Sequence, residues 1–370
     1  MDILQKKCVF MNTFYTVLSL LPWFILGFLL IKYVRNRMVA RRNLRRHDLR
    51  LAADVMGLHP LPLRWQQAKI ALRGEEDVPK STFGLSSLKQ LYPGISPKLW
   101  RGEFYVKNKV IISNLFNHTQ TPIEQGWSVQ KTQTKDFRGR GLTYNSHNGT
   151  DFAIPVGSVV TTAAPGQVVA VLSEFNRGGL KIFIDHGHGL MTCYAHLAKS
   201  LVKVGDIVHR AQPIAVSGYS GLDGTVTYPM GIPHIHFNVW LNNEPTDPFP
   251  FGVHDSLWRA GLLPASAEDM SSDFIPSEFD EALVAQAIAA CKTASVRDKL
   301  QQIPDLRERA FHTIIHMNYY PTRFTQRINL YGTEHPRQAM LDLPFQKKQF
   351  EGVVFLDDIR GRKRSKKQPV

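Results

Sequence analysis

The chain is 370 residues long and 43% hydrophobic, an ordinary content for a globular protein and enough length for two domains. Its formal net charge is +14, but two short basic stretches, residues 32–50 and 360–370, together carry about +13 of it. Because the remainder is close to neutral, the charge argues against a basic nucleic-acid-binding core, and no nucleic-acid partner is expected.

The N-terminal region contains an uncharged apolar run, residues 8–31, that is long enough to cross a bilayer. A cleaved signal peptide is the alternative, but its apolar region would be shorter and followed by a small-residue cleavage site. Here the run ends directly at Lys32 and the basic residues that follow it. The pattern therefore predicts an uncleaved transmembrane helix, with residues 1–50 forming a membrane anchor and a basic juxtamembrane segment.

The charges that flank this span indicate an orientation. Lys6 and Lys7 precede it, whereas seven basic residues follow it within residues 32–46. The tendency of basic residues to remain in the cytoplasm would keep the C-terminal side of the span inside the cell.

Residues 51–252 change from an irregular pattern to a β-rich one. Residues 51–120 carry turn signals and no recognisable chemistry, which predicts a spacer or accessory region. Over residues 121–252, short runs rich in Val, Ile and Thr alternate with glycine-containing turns. Short strands at near-regular spacing predict an all-β domain, built as an antiparallel sheet or sandwich.

The C-terminal third shows helical patterns. Ser277 is predicted to cap a helix over residues 278–292, and a second helix is predicted over residues 305–317. Residues 253–345 are therefore expected to form a mostly helical extension, which is a candidate for binding a protein partner. Residues 346–370 form a basic tail whose end has too little apolar content to fold, and disorder is predicted there.

Four histidines and one aspartate in the β-rich segment form the strongest chemical pattern of the chain. His234 and His236 are two residues apart on a predicted strand, so their side chains face the same way. His147 and Asp151 share one face of an extended segment, and His196 follows another predicted strand. The three segments are predicted to converge on one surface of the sheet.

This residue set has the composition of a mononuclear zinc hydrolase. Two imidazoles and one carboxylate would leave a coordination position for water, whose pKa can fall to about 7 on zinc. A histidine beside that water can accept its proton and pass one to a leaving amine, and a second can orient the water or stabilise developing charge. Each motif is weak alone, but their conjunction in one β-rich segment is specific.

The motifs are His-Asn-Gly-Thr-Asp-Phe-Ala-Ile-Pro-Val-Gly from His147, Tyr-Ala-His-Leu around His196 and His-Ile-His-Phe from His234. With these motifs, residues 147–249 resemble the lysostaphin-type (LytM-like) zinc endopeptidases, a family of peptidoglycan hydrolases. The resemblance implies a lysostaphin-like all-β fold that binds one Zn2+ per chain and cleaves stem or cross-link peptides of peptidoglycan. It also implies the role of each residue: zinc ligands His147, Asp151 and His236, and catalytic residues His196 and His234.

Two departures from the family pattern concern substrate preference more than catalysis. Asn238 stands where an acidic residue commonly follows the last motif. Residues 220–233 form a longer loop than usual before that motif, and this loop is expected to border the groove.

The combined expectation is a membrane-anchored zinc metalloendopeptidase, single-pass in the bacterial inner membrane, with its catalytic domain on the periplasmic side. That placement conflicts with the charges that flank the span. Two alternatives stay open: a catalytically silent activator that uses the groove to recruit another cell-wall hydrolase, and a metallopeptidase with a non-wall substrate. The complete set of five residues argues against the silent activator, because inactive members of the family typically lack several of them.

Other histidines are assigned no chemistry. His312 and His316 lie on one face of a predicted helix but lack a third ligand, so an ordinary amphipathic helix is predicted. His186 and His188 flank a tight glycine turn, and both are expected to be exposed.

Overall fold

The structure, a computed structural model, describes residues 21, 22, 24–31 and 44–359. The transmembrane helix predicted over residues 8–31 lies largely outside them, as do most of the juxtamembrane segment and the end of the basic tail. Within the described residues, no helix combines the length and the apolar character needed to cross a membrane.

Eleven strands among the described residues form one sheet. They are β1 (Val110–Asn114), β2 (Thr150–Ala153), β3 (Val159–Thr161), β4 (Gly166–Glu174), β5 (Gly179–Asp185), β6 (Leu190–Ser200), β7 (Ile207–Val208), β8 (Pro213–Ser217), β9 (His234–Leu241), β10 (Glu244–Pro245) and β11 (Val353–Phe355). The main order is β11-β1-β2-β9-β6-β5-β4-β7, while β10 pairs with β9, and β8 pairs with β3 and β6. All pairs except β1 with β11 are antiparallel. The predicted antiparallel β domain is confirmed.

Strand β9 shows how the local sequence sets the two faces of the sheet. Ile235 and Phe237 belong to the large apolar core on one side. His234 and His236 alternate with them and therefore lie on the opposite face. Trp240 continues the histidine face and packs in a second core, which contains the C-terminal helices. This face is thus covered at its tryptophan end and accessible at its histidine end.

The extension predicted to be mostly helical is helical only in part. The helices are α1 (Leu61–Arg73), α2 (Ser96–Trp100), α3 (Leu222–Thr227), α4 (Glu281–Ala289), α5 (Ala294–Gln301) and α6 (Leu306–Tyr319), with short 3-10 or π turns at Arg45–His47, Leu51–Val55, Leu85–Gln90, Ile123–Gln125 and Pro321–Arg323. Within residues 253–345, α4 to α6 form a block, and the segments on either side are mostly loop. Isolated β-bridges, such as the one between Trp258 and Leu341, connect these loops.

The sheet extends beyond the predicted β-rich segment in both directions. β1, from the predicted spacer, pairs with β2 through Ile111 opposite Ala153. β11, from the predicted tail, pairs with β1 through Val110 opposite Val353. The first part of the predicted tail, residues 346–359, therefore completes an edge of the sheet. Its short apolar segment, β11, pairs with the outer edge of β1.

Ser277 does not cap a helix as predicted. Asp280 caps α4 instead, and its carboxylate accepts a hydrogen bond from the Leu283 N–H at 3.0 Å. Ser277 donates from its hydroxyl to Asp185 Oδ1 at 2.7 Å and from its backbone N–H to Oδ2 at 3.0 Å. Arg307 Nη2 on α6 donates to the same Oδ2 at 2.5 Å. The buried Asp185 carboxylate at the end of β5 thus attaches the C-terminal extension to the sheet.

We predict that Asp185→Ala lowers the free energy of unfolding by about 3–5 kcal/mol, because it leaves the Arg307 guanidinium and the Ser277 hydroxyl without their acceptor. Urea denaturation of the purified protein measures the change. The matched control is Asp273→Ala, an exposed aspartate, which should change stability by less than about 0.5 kcal/mol. Equal effects of the two substitutions would contradict the anchoring role.

Candidate metal centre

The predicted ligands converge because two strands pair in one register. Asp151 on β2 lies directly opposite His236 on β9, and His147 belongs to the turn that leads into β2. Asp151 Oδ1 is 2.8 Å from His236 Nδ1 and 3.0 Å from His147 Nε2, and the two nitrogens are 3.1 Å apart. Gly149 permits this approach, since a Cβ atom there would lie 2.7 Å from the Phe237 carbonyl oxygen and 2.9 Å from His236 Cε1.

Two groups from the predicted spacer orient these side chains. His147 Nδ1 donates to the Leu115 carbonyl oxygen at 2.6 Å, which leaves Nε2 of the neutral ring with a free lone pair. Asn114 Nδ2 donates to Asp151 Oδ2 at 2.9 Å, so that Oδ1 faces the two imidazoles. Sequence motifs did not identify Asn114 or Leu115, because these residues lie outside the motifs and reach the site only through the pairing of β1 with β2.

His196 and His234 lie beside this cluster with their rings 4.9 Å apart. His196 has a φ of 61°, a left-handed conformation that is costly for a residue with a side chain. It is held there by a hydrogen bond from its N–H to the Gly178 carbonyl oxygen at 2.7 Å. Its Nδ1 donates to Ser220 O at 2.8 Å, and His234 Nδ1 donates to Ile232 O at 2.7 Å. Each neutral ring therefore keeps Nε2 as a proton acceptor.

The electrostatics favour an anionic Asp151 and neutral imidazoles at His196 and His236. Burial alone would raise the pKa of Asp151, but His147 and His234, when charged, together with hydrogen bonds from His147 and His236, hold that pKa well below its usual range. Burial lowers the pKa of His196 to about 3, and the neighbouring His234 acts in the same direction. Burial also lowers the pKa of His236. These are the protonation states that a bound cation requires.

The donor set fits a zinc ion. Zinc binds histidine nitrogen and carboxylate oxygen at about 2.0–2.2 Å, so ligand atoms of one ion must lie within about 4 Å of each other. His147, Asp151 and His236 meet that condition, and among the described residues they are the group of His, Cys, Asp and Glu side chains that could hold a metal. The ligand atoms come from two segments of the chain, and Asp151 and His236 are 85 residues apart in sequence.

Three of the five predicted residues, His147, His196 and His236, line a groove whose other walls come from outside the motifs. The walls include Phe83 and Trp127 from the N-terminal side, Arg177 from the turn between β4 and β5, and Tyr319 from α6. Asp223 in α3 shows that the long loop over residues 220–233 does border the groove. Asn238, the first departure from the family pattern, donates to the Asn148 carbonyl oxygen at 2.9 Å and accepts from the Tyr319 hydroxyl at 3.4 Å.

The remaining histidines stay outside the cluster. His312 and His316 lie on α6 as predicted, and no group that could hold a metal includes them within the described residues. The prediction that His186 is exposed is wrong, whereas His188 is exposed. The turn folds His186 beneath the sheet, where Nδ1 donates to Pro165 O at 2.7 Å and Nε2 lies 2.8 Å from Thr192 Oγ1.

A cluster of two histidines and an aspartate, with two further histidines beside it, is the kind of site that mononuclear metallohydrolases use. The family model of peptidase family M23 matches residues 145–248, which contain all five residues. Residues 145–248 therefore form a domain of peptidase family M23, and the resemblance seen in the sequence is confirmed.

Similar proteins align with part of this chain. The chain is 41% identical over 178 residues to the peptidoglycan DD-endopeptidase ShyB of Vibrio cholerae, covering 47% of this chain and 39% of that protein. It is 34% identical over 151 residues to the peptidoglycan DD-endopeptidase ShyA of the same organism, covering 40% and 32%. The lysostaphin catalytic domain from Staphylococcus simulans gives 31% identity and a TM-score of 0.25, covering 28% of this chain and 77% of that domain. The chain thus spans less than two fifths of the length of these curated relatives.

We predict that the purified protein holds one zinc per chain and that His236→Ala abolishes stoichiometric zinc. Asn114→Ala should weaken zinc binding by about 10- to 100-fold, because the aspartate loses the donor that orients it. The matched control, His312→Ala with His316→Ala, should keep full zinc content. Atomic emission spectroscopy and competition with a chromogenic chelator measure content and affinity. Zinc loss in the control double variant would refute the assignment.

Proposed function

We propose that this chain is a zinc metalloendopeptidase that hydrolyses amide bonds in the stem or cross-link peptides of peptidoglycan. The observation that carries the proposal is the approach of His147 Nε2, Asp151 Oδ1 and His236 Nδ1 to within 2.8–3.1 Å of one another, beside a groove that the two histidines line. The names of two similar curated relatives, both peptidoglycan DD-endopeptidases, support the substrate class.

The three converging residues would hold the metal. His147 and His236 supply neutral nitrogens, and Asp151 supplies the negative charge that partly balances a divalent cation. Zinc, when bound, contributes Lewis-acid activation of water and of the peptide carbonyl. Asn114 keeps the second oxygen of Asp151 engaged, which limits the carboxylate to one free oxygen.

His196 and His234 would perform the proton transfers. Each donates through Nδ1 to a backbone carbonyl, so Nε2 is the atom that accepts a proton from the attacking water. The same atom, once protonated, can deliver the proton to the leaving amine. The ring separation of 4.9 Å lets one histidine act on the water while the other, when protonated on Nε2, stabilises the developing negative charge.

Two features favour a working enzyme over a silent activator. All five residues are present, and four of their side chains are held in defined orientations by backbone carbonyls or by Asn114. A groove that served only for partner binding would not need a buried aspartate facing two imidazoles, since burying an anion is costly without a compensating cation.

The cellular placement forms part of the proposal. The apolar run over residues 8–31 supports a single membrane-spanning helix, and a peptidoglycan substrate requires the domain to lie on the periplasmic side of the inner membrane. The basic residues after the run favour the reverse orientation. That orientation would fit the alternative function, a metallopeptidase with a non-wall substrate inside the cell.

We predict that the protein releases dye from labelled peptidoglycan and that His196→Ala lowers kcat/KM by about 100- to 10,000-fold, because the proton acceptor is lost. His236→Ala should remove release entirely, because a metal ligand is lost. The matched control, His209→Ala, replaces an exposed histidine outside the groove and should retain wild-type release. Equal dye release by the wild type and by both site variants would contradict the proposal that the protein is an enzyme.

We also predict that alkaline phosphatase fused after residue 60 is active in cells and that β-galactosidase fused at the same point is inactive. Each reporter works on only one side of the membrane, so the pair reports orientation directly. Control fusions that lack residues 8–31 should give the opposite result. Active β-galactosidase in the full fusion would favour the intracellular alternative.

A further inference from the structure

Arg177 occupies a fixed position next to the catalytic histidines. It lies in the turn between β4 and β5 and lines the same groove as His147, His196 and His236. The backbone of this turn is held at two points. The Arg177 carbonyl oxygen accepts from Lys181 Nζ at 2.7 Å, and the neighbouring Gly178 carbonyl oxygen accepts from the His196 N–H at 2.7 Å.

Among the described residues, no carboxylate lies within ion-pair distance of the Arg177 guanidinium, although the charges of Asp223 and Glu174 act on it from further away. Its centre lies 4.6 Å from the centroid of the Trp127 ring, which holds the planar group against an aromatic face. Its Nε atom is buried and makes no hydrogen bond, and no carboxylate among the described residues forms an ion pair with it. Such an unsatisfied buried donor is costly, and one at a groove commonly marks a place for a ligand atom.

The nearby acids do not supply the missing partner. Glu174 is engaged by Lys181 Nζ at 2.5 Å and by the Tyr320 hydroxyl at 2.8 Å. Asp223, which also lines the groove, makes no ion pair with Arg177 within the described part of the chain. Burial lowers the pKa of Arg177 to about 10, so the guanidinium still carries its charge at neutral pH.

We propose that Arg177 is a specificity-determining residue that binds a free carboxylate of the peptide substrate close to the scissile amide. This inference rests on the proposed function. A planar guanidinium with free N–H groups matches the two oxygens of a carboxylate, and the aromatic stack fixes its plane. Because His196 and His236 line the same groove as Arg177, we assign the bound carboxylate to the residue at the cleaved bond or to its immediate neighbour.

The proposal defines a substrate class. It selects peptides in which the amide nitrogen or carbonyl at the cut is joined to a residue that bears a free carboxylate, such as a cross-link through a diamino acid that retains its acid group. Peptides in which this group is a carboxamide, and uncharged oligoglycine bridges, lack the partner for Arg177. The preference should be large, because a charge-assisted hydrogen bond in a buried setting contributes about 10- to 100-fold in affinity.

The test compares two fluorescent cross-linked peptides that differ only in this group, a free acid and its carboxamide. Binding is measured by anisotropy with the full-length, zinc-loaded protein carrying His234→Ala, so that the probes stay uncut. We expect the acid to bind about 10- to 100-fold more tightly than the carboxamide. Adding Arg177→Met should reduce this ratio to about one, and Arg177→Lys, which keeps the charge, should retain an intermediate ratio.

The matched control is Arg73→Met, which replaces an exposed arginine outside the groove and should preserve the ratio of the parent. Equal affinity for the two peptides in the parent protein overturns the inference, as does binding of neither peptide. An equal loss for both peptides with Arg177→Met and with Arg177→Lys also overturns it, because a purely structural role affects the acid and the carboxamide alike.

Cleavage of the same peptides by the wild-type protein separates this inference from the proposed function. Cleavage of acid and carboxamide with equal kcat/KM supports the peptidase and overturns the role of Arg177. Preferential binding of the acid without cleavage of either peptide supports the role of Arg177 and overturns the peptidase.

Discussion

The antiparallel pairing of β2 with β9 is the constraint on which the centre depends, because it sets Asp151 directly opposite His236. A slip of one residue would turn the side chains of a strand to the other face and separate the carboxylate from the imidazole. The register is protected by the apolar face of the same strands, where Phe152 and Phe237 pack 5.9 Å apart in the main core. Burial of the apolar face thus fixes the strand register that keeps Asp151 and His236 together on the opposite face.

β9 also pairs along its other edge with β6, where Ala195 lies opposite His236. The next residue, His196, leaves the regular strand conformation with a positive φ, which coincides with a shift in the pairing of β6 with β5 and β8. This irregularity lets the His196 ring approach His234. A regular, flat strand would not bring the two rings together in this way. The sheet supplies rigidity, and one local departure from it brings the rings of His196 and His234 together.

The groove is built from parts of the chain outside the matched family segment. Phe83 precedes residues 145–248 in sequence, and Tyr319 follows them, yet both line the groove. Asp185 attaches the C-terminal extension that includes Tyr319, and Asn114 on β1 supports the aspartate of the cluster. The chemistry is thereby concentrated in the family segment, whereas the shape of the groove depends on the segments before and after it.

The sequence by itself determined the residues of the centre and the β character of their domain, because both depend on short-range patterns. The alternation of His234 and His236 with apolar neighbours, and the four-residue spacing of His147 and Asp151, are local properties of an extended chain. Only the tertiary structure decided that Asn114 supports the aspartate and that Ser277 binds a strand end rather than caps a helix. These contacts join residues far apart in sequence, and no local spacing encodes which distant groups a folded sheet brings together.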